Sequence, residues 1–339
     1  MGTGNMALAQ TLDLLESLAR RALALWDLPV GATARLINVS ENATYLVEAP
    51  GFRAILRIHR EDYHTKKAIE CELAWAQALN REGGVTTPGV YVGKNGHIIQ
   101  SASVPGLTAP RFMVLFHFVD GVEPGIADDP VSHFEGLGEI AAKTHVHSIN
   151  WQRPEGFERL IWDADAVFGA SPTWGNWRAA PEVTDEVRGI LEQVEETVRL
   201  RLAGFGKGAE RFGLIHADMR LANLLCDGTD TRVIDFDDCG LGWFLYDFAA
   251  AISFIENDPQ VATMKSAWVR GYRKIRTLST ADVQEIDTFV MLRRMALLAW
   301  IGSHIEAPEP QELAPGFARV TAGLGQEYLE KVHATQRQT

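Results

Sequence analysis

The chemistry of this chain is concentrated in three polar side chains set between apolar runs. The apolar segment Phe212–Ile215 leads into His216-Ala-Asp218-Met-Arg220-Leu-Ala-Asn223-Leu-Leu, and Val233-Ile-Asp235-Phe-Asp237-Asp238 follows shortly after. Two short strands flanking such a turn bring Asp218, Asn223 and Asp235 close together. Mg²⁺ takes oxygen ligands, commonly one or two carboxylates completed by substrate phosphates. Asn223 and Asp235 supply that minimal set, and Asp218 is left to orient or deprotonate an attacking hydroxyl. Asp237 and Asp238 extend the acidic run. On an extended segment Asp235 and Asp237 share one face and Asp238 takes the other. A carboxylate in a cleft is costly unless it meets a cation or water. The run therefore favours an acceptor carrying an amine or several hydroxyls. Metal and acceptor contact are both open to Asp237, Asp238 and Glu256, and Asp238 has the further alternative of a cap by the backbone of Cys239-Gly240 or a pairing to an arginine.

The surrounding periodicities say what must position these groups. Leu8, Leu12, Leu15, Ala19 and Leu23 recur at helical spacing before Pro29. Ala34–Val39, Ala43–Val47 and Arg53–Ile58 read as three antiparallel strands, separated by Ser40-Glu41-Asn42 and by Pro50-Gly51. A helix is expected over Lys66–Asn80, then strand-like runs at Val90–Val92, His97–Gln100 and Arg111–Val119. Beyond Gly121 the pattern turns helical, at His133–His147, Thr184–Ala203, Trp243–Glu256, Gln260–Arg276, Ser279–His304 and about Pro315–His333. The strand-rich island Gly213–Asp238 interrupts it. This is an α+β arrangement, a β-rich first third and an α-rich remainder, with a cleft expected between two lobes.

HxDxxxxN followed by a strand and an aspartate is the catalytic-loop layout of the kinase superfamily. With Ala217 after the histidine, Ile-Asp-Phe at 234–236 and Tyr246-Asp247-Phe-Ala, the chain resembles the aminoglycoside phosphotransferase and choline kinase family over roughly residues 34–304. The resemblance implies a protein-kinase-like two-lobed fold, with a nucleotide-binding lobe at 1–115, a hinge at 116–121 and a catalytic and acceptor-binding lobe at 122–339. It implies Asp218 as catalytic base, Asn223 and Asp235 as Mg²⁺ ligands, and Arg220 on the transferred phosphoryl group. His216 and Asp247 become braces of the loop. In the first lobe it places Ser40 and Asn42 on the nucleotide phosphates and Arg57 where protein kinases carry a lysine. Glu72 becomes the partner of Arg57, and the backbone near Phe116 and Phe118 contacts a purine edge. Choline-type kinases carry a Glu where Asp237 sits. The function implied is a Mg²⁺-dependent kinase moving the γ-phosphoryl group of ATP, or GTP, to a hydroxyl of a small molecule, an amino alcohol or polyol. Two alternatives stand beside it, a protein Ser/Thr kinase of the bacterial stress-response type and a nucleotide-binding pseudokinase. Asp247 follows Asp235 by only twelve positions, too few for an extended peptide-docking loop.

Composition narrows the classes further. Asp plus Glu outnumber Lys plus Arg by 44 to 32, a net charge of −12 that disfavours nucleic acid and anionic lipid as partners. Cys71, Cys226 and Cys239 form no CxxC pair, which fits a reducing, cytoplasmic setting. No apolar stretch approaches the ~20 residues of a membrane span. Gly204-Phe-Gly206-Lys207-Gly208 lacks the spacing of a phosphate-binding loop. His145 and His147, two apart on a helix, point to different faces and read as ordinary helix histidines. Trp174, Trp177, Trp243 and Trp300 read as core or cleft wall.

Overall fold

The computed structural model describes residues 3–39, 42–125, 129–228 and 230–337. They divide into two compact units, one of Met1–Asn80, Thr86–Gly121 and Arg153–Glu158, the other of Arg81–Val85, Val122–Gln152 and Arg159–Thr339.

The first unit is a five-stranded sheet between two helices. Alternating burial builds its strands: Ala43, Tyr45 and Val47 point inward from β2 (Ala43–Ala49), and Ala54, Leu56 and Ile58 from β3 (Phe52–Ile58). With β1 (Thr33–Val39), β4 (Gln100–Ala102) and β5 (Arg111–His117) the order is β1-β2-β3-β5-β4, and every neighbour is antiparallel. Pro50-Gly51 closes β2 onto β3, with Ala49 opposite Phe52. One sheet face packs Tyr45, Leu56, Met113 and Leu115 against Leu18, Ala19 and Ala22 of α1 (Thr3–Ala22). On the other face Val114 meets Ile69 and Leu73 of α2 (Lys66–Ala78), a helix capped by Thr65, whose hydroxyl accepts from the Ala68 amide. The strand runs expected at 90–92 and 97–100 shrink to one bridge, Val90 to Phe116, and to Gln100.

The second unit is mostly helical. In chain order it contains α3 (Pro130–Asn150), β6 (Leu160–Trp162), α4 (Ala164–Phe168), α5 (Asp185–Phe205), β7 (Phe212–Ile215), β8 (Leu224–Asp227), β9 (Asp230–Val233) and β10 (Gly240–Trp243). α6 (Tyr246–Ala251), α7 (Val261–Arg273), α8 (Thr280–Ser303), α9 (Pro308–Leu313) and α10 (Phe317–Gln336) follow. α3 and α7 approach closely because each offers a glycine to the other's backbone. A Cβ on Gly138 would strike the Trp268 carbonyl, and one on Gly271 the Glu135 carbonyl. β10 lies between β6, parallel to it, and β7, antiparallel to it, while β8 and β9 form a separate hairpin. The helix expected over Trp243–Glu256 is wrong at both ends. Trp243 closes β10 opposite Phe212, and α6 is over by Ala251, before Phe254 turns left-handed at φ +71°. Apolar residues running through a buried strand and a buried helix give no break in periodicity to separate them.

Candidate active site

β7 delivers the loop 216–223 from the core, and the turn it makes is held by Asp247. Ala217 has φ +66°, a strained conformation for alanine. The Asp247 carboxylate accepts from both amides at that turn, His216 N–H at 3.2 Å and Ala217 N–H at 2.7 Å. Asp247 is itself fully enclosed, so its other contacts decide whether that is tolerable. His145 Nε2 of α3 donates to Asp247 Oδ2 at 2.9 Å, and His145 Nδ1 accepts from the Tyr272 hydroxyl at 3.0 Å. Arg276 Nη1 donates to that hydroxyl at 2.9 Å. Burial keeps His145 below its ordinary pKa, against the pull of Asp247, and pushes the Tyr272 hydroxyl up to about 12. The relay therefore runs through a neutral imidazole and a protonated phenol. His145 is much more than the ordinary helix histidine its i,i+2 spacing suggested.

His216 braces the loop from inside. Its Nδ1 accepts from the Asp218 amide at 3.3 Å and its Nε2 donates to the Ile234 carbonyl at 3.1 Å. Ile234 N–H in turn reaches the Asn223 carbonyl at 2.9 Å, which ties the loop to the segment ending in Asp235. Asn223 Nδ2 donates to both the Asp218 carbonyl and Asp218 Oδ2 at 2.8 Å, leaving its own oxygen as the group able to meet a cation. Asp218 Oδ1 receives Arg293 Nη2 of α8 at 2.8 Å, with Arg220 Nε at 3.4 Å. Arg293 also holds Ser253 Oγ at 3.1 Å. Asp218 is thus aimed by both oxygens, yet its side chain stays 15% exposed.

Asp235 is exposed and left-handed at φ +59°. The following backbone is clamped, because Arg159 donates to the carbonyls of Asp237 and Cys239 and Trp162 Nε1 donates to that of Asp238 at 2.7 Å. Asp237 is 5% exposed and Asp238 half-buried, so an incoming molecule reaches Asp238 more readily. Glu256 is buried and paired with Arg294 at 2.6 Å. Among the described residues no three His, Cys, Asp or Glu side chains gather as a metal cage. One carboxylate and one amide oxygen, Asp235 and Asn223, suit a hard cation that takes its remaining oxygens from phosphate and water.

In the first unit, Arg57 of β3 donates to Glu72 Oε1 of α2 at 2.6 Å, with its guanidinium 5.0 Å from the Phe116 ring centre. Asn42 Oδ1 accepts from the Arg60 amide at 3.2 Å. Ser40 lies outside the described residues. Phe116 pairs with Ile55 inside β5, and Phe118, just past the strand, lies under Arg53. Arg293 escaped the sequence reading. The signal for it was a pair of arginines, Arg293-Arg294, inside the apolar run Met291 to Trp300.

A kinase-like loop in a chain with a β-sheet region followed by a helical one defines a class, the phosphotransferases. The family match is specific: residues 33–278 fit the phosphotransferase enzyme family, and the chain belongs to it. It is a small-molecule kinase, a phosphotransferase acting on an alcohol group. A solved microcompartment-associated aminopropanol kinase is similar at 41% identity, with a TM-score of 0.86 over 93% of this chain and 98% of that one. Amicoumacin kinase hAmiN, in complex with AMP-PNP, Ca²⁺ and Ami, shares the fold at 18% identity, with a TM-score of 0.75 over 91% of this chain and 93% of that one. The amicoumacin kinase of Bacillus subtilis (strain 168) is 22% identical over 301 residues, 84% of this chain and 85% of that protein. Among the described residues no helix is long and apolar enough to cross a membrane.

Proposed function

We propose that this enzyme transfers the γ-phosphoryl group of ATP, with Mg²⁺, to the hydroxyl of a short amino alcohol. The carrying observation is Asp218, held at both carboxylate oxygens yet still partly open to an acceptor. In that reading Asp218 orients the acceptor hydroxyl and accepts its proton. Arg220, 28% exposed, meets the transferred phosphoryl group. Asn223 and Asp235 hold the cation, whose charge offsets that of the phosphates. Asn42 and Arg57, with Ser40, take the nucleotide phosphates, and the backbone at Phe116 and Phe118 takes the base. Asp238, half-buried in the stretch after Asp235, is the carboxylate that meets the acceptor ammonium. Likeness to an aminopropanol kinase at 41% identity supports that acceptor class. So does the stretch after Asp235: residues 240–243 are tied into a sheet and α6 starts at Tyr246, leaving no long docking segment for a peptide.

The test is a steady-state comparison of kcat/KM across amino alcohols, polyols, hydroxy acids and Ser-containing peptides, run with ATP and with GTP. Amino alcohols should lead. A hydroxy acid or a peptide ahead by tenfold would sink the acceptor reading. Calorimetric titration of ADP with and without Mg²⁺, on wild type and Asp235→Ala, tests the metal assignment. Unchanged Mg²⁺ dependence in the variant would place the cation elsewhere.

A further inference from the structure

We propose that Phe254 determines acceptor specificity, its ring forming with Trp300 the wall that limits how long an acceptor the Asp218–Arg220 loop can serve. The proposal rests on the reading of Asp218 and Arg220 given above. Phe254 lies between α6 and α7 with φ +71°. A bulky side chain adopts that conformation only where its surroundings impose it, and such residues gather at ligand sites. Here the imposition is visible on both sides. Ser253, just before, is bound by Arg293 at 3.1 Å, and Glu256, just after, by Arg294 at 2.6 Å. Both arginines are 2% exposed and adjacent on α8, so one rigid helix grips the segment twice.

The grip presents the Phe254 ring 5.5 Å from the Arg220 guanidinium and 6.3 Å from the ring centres of both Trp300 and Phe317. Arg220 is ion-paired with Asp218. The wall also has a scale. Trp300 follows Arg293 by seven residues and so shares its face of α8, about 10 Å further along the axis. Arg293 contacts the catalytic carboxylate at one end of that interval, and Trp300 stands at the other. Phe254 and Trp300 are both half-buried. A boundary that runs from the Phe254 ring beside Arg220 to Trp300, one helical heptad beyond Arg293, accommodates a molecule of a few carbons and rejects longer ones.

The experiment uses the full chain and whichever alcohol the wild-type enzyme phosphorylates best, together with that alcohol's homologue lengthened by two methylenes. Phe254→Gly and Phe254→Asn both tolerate the left-handed backbone while removing the ring, and Phe254→Tyr keeps it. In the Gly and Asn variants the kcat/KM ratio of long to short acceptor should rise at least tenfold, the scale of one or two methylenes against a pocket wall. The KM for ATP should stay within twofold, and the Tyr variant should behave as wild type. A ratio unchanged within twofold in folded Gly and Asn variants overturns the proposal. So does an equal loss against acceptor and ATP, and so does failure of both variants to fold, since either outcome makes the ring a packing residue. A wild type that prefers hydroxy acids would refute the amino-alcohol reading alone, because the ring test is read on the preferred acceptor whatever its class.

Discussion

Two buried guanidinium–carboxylate pairs, Arg57–Glu72 in the first unit and Arg293–Asp218 in the second, are built in opposite senses. In the first, Glu72 is the deeper member, 2% exposed at its side chain against 7% for Arg57. In the second, Arg293 is the deeper member, 3% against 15% for Asp218. An anion supports a cation in one case, and a cation supports an anion in the other. The supporting group comes from a helix both times, α2 or α8, while the supported group sits on a strand or a loop. Burial assigns the roles: a buried charge must be paired, so the deeper residue is committed to its partner. The shallower one keeps a side for a ligand.

That contrast predicts that removing a support acts on folding, removing a supported group acts on chemistry, and loosening a support without removing its charge misplaces the group it aims. The largest effect belongs to Glu72→Ala, which takes from Arg57 its buried carboxylate partner. Breaking a buried pair in this way costs about 3–5 kcal/mol of stability, readable in urea unfolding. A variant within about 1 kcal/mol of wild type would show that the pair behaves like a surface bridge and would break the comparison. Next comes Asp218→Asn. The Asn amide oxygen still accepts from Arg293, which also feels the Asp238 charge, so folding and nucleotide affinity should hold while turnover falls at least ~100-fold, about 2.7 kcal/mol of barrier. Near-wild-type turnover would remove Asp218 from the chemistry.

A smaller effect sharpens the contrast. Arg293→Lys keeps the charge but cannot fork to Asp218 and Ser253 together. It should lower kcat by roughly tenfold, about 1.4 kcal/mol, with the KM for ATP unmoved. A fall in stability with kcat intact would make Arg293 a purely structural residue.

These pairs also show what a sequence can disclose. Asp218 and Asn223 lie five residues apart in a loop that follows a strand, so local spacing alone pointed to their contact. The hairpins of the first unit were legible because β2, and β3 as far as Leu56, alternate between buried and more open faces. Arg293 was not legible, since it is 75 residues from Asp218 and reaches it only through the packing of α8. The Trp243–Glu256 error has the same root. A strand and a helix that are both buried share one apolar run, and only tertiary pairing with Phe212 separates them. His145 fell to a rule about helix faces that is right about geometry and silent about burial.

His145 supplies the smallest test, and it concerns how the loop's brace is charged. Asp247, Tyr272 and Arg276 face the imidazole or its partners, and the Phe244 ring stacks on it at 4.5 Å. Burial holds His145 below its ordinary pKa of 6.5 despite the Asp247 hydrogen bond. The unfolded chain titrates this group near the ordinary value. As pH falls below about 6.5 the unfolded state therefore takes up a proton that the folded state refuses. More protons bound in the unfolded state means that stability rises with pH through this window and is lost as pH falls, at up to about 1.4 kcal/mol per pH unit for one such group. His147 is pushed the same way by burial, opposed by Glu82, and contributes its own share. His145→Gln separates the two. Its amide can donate to Asp247 and accept from Tyr272, so the relay survives while one titration disappears. Between about pH 7.5 and about pH 5.5 the variant should lose about 1 kcal/mol less stability than wild type in urea unfolding. An identical pH slope would mean that His145 titrates alike in the folded and unfolded chain, and a larger loss in the variant than in wild type would mean that an imidazolium holds Asp247 in the folded enzyme.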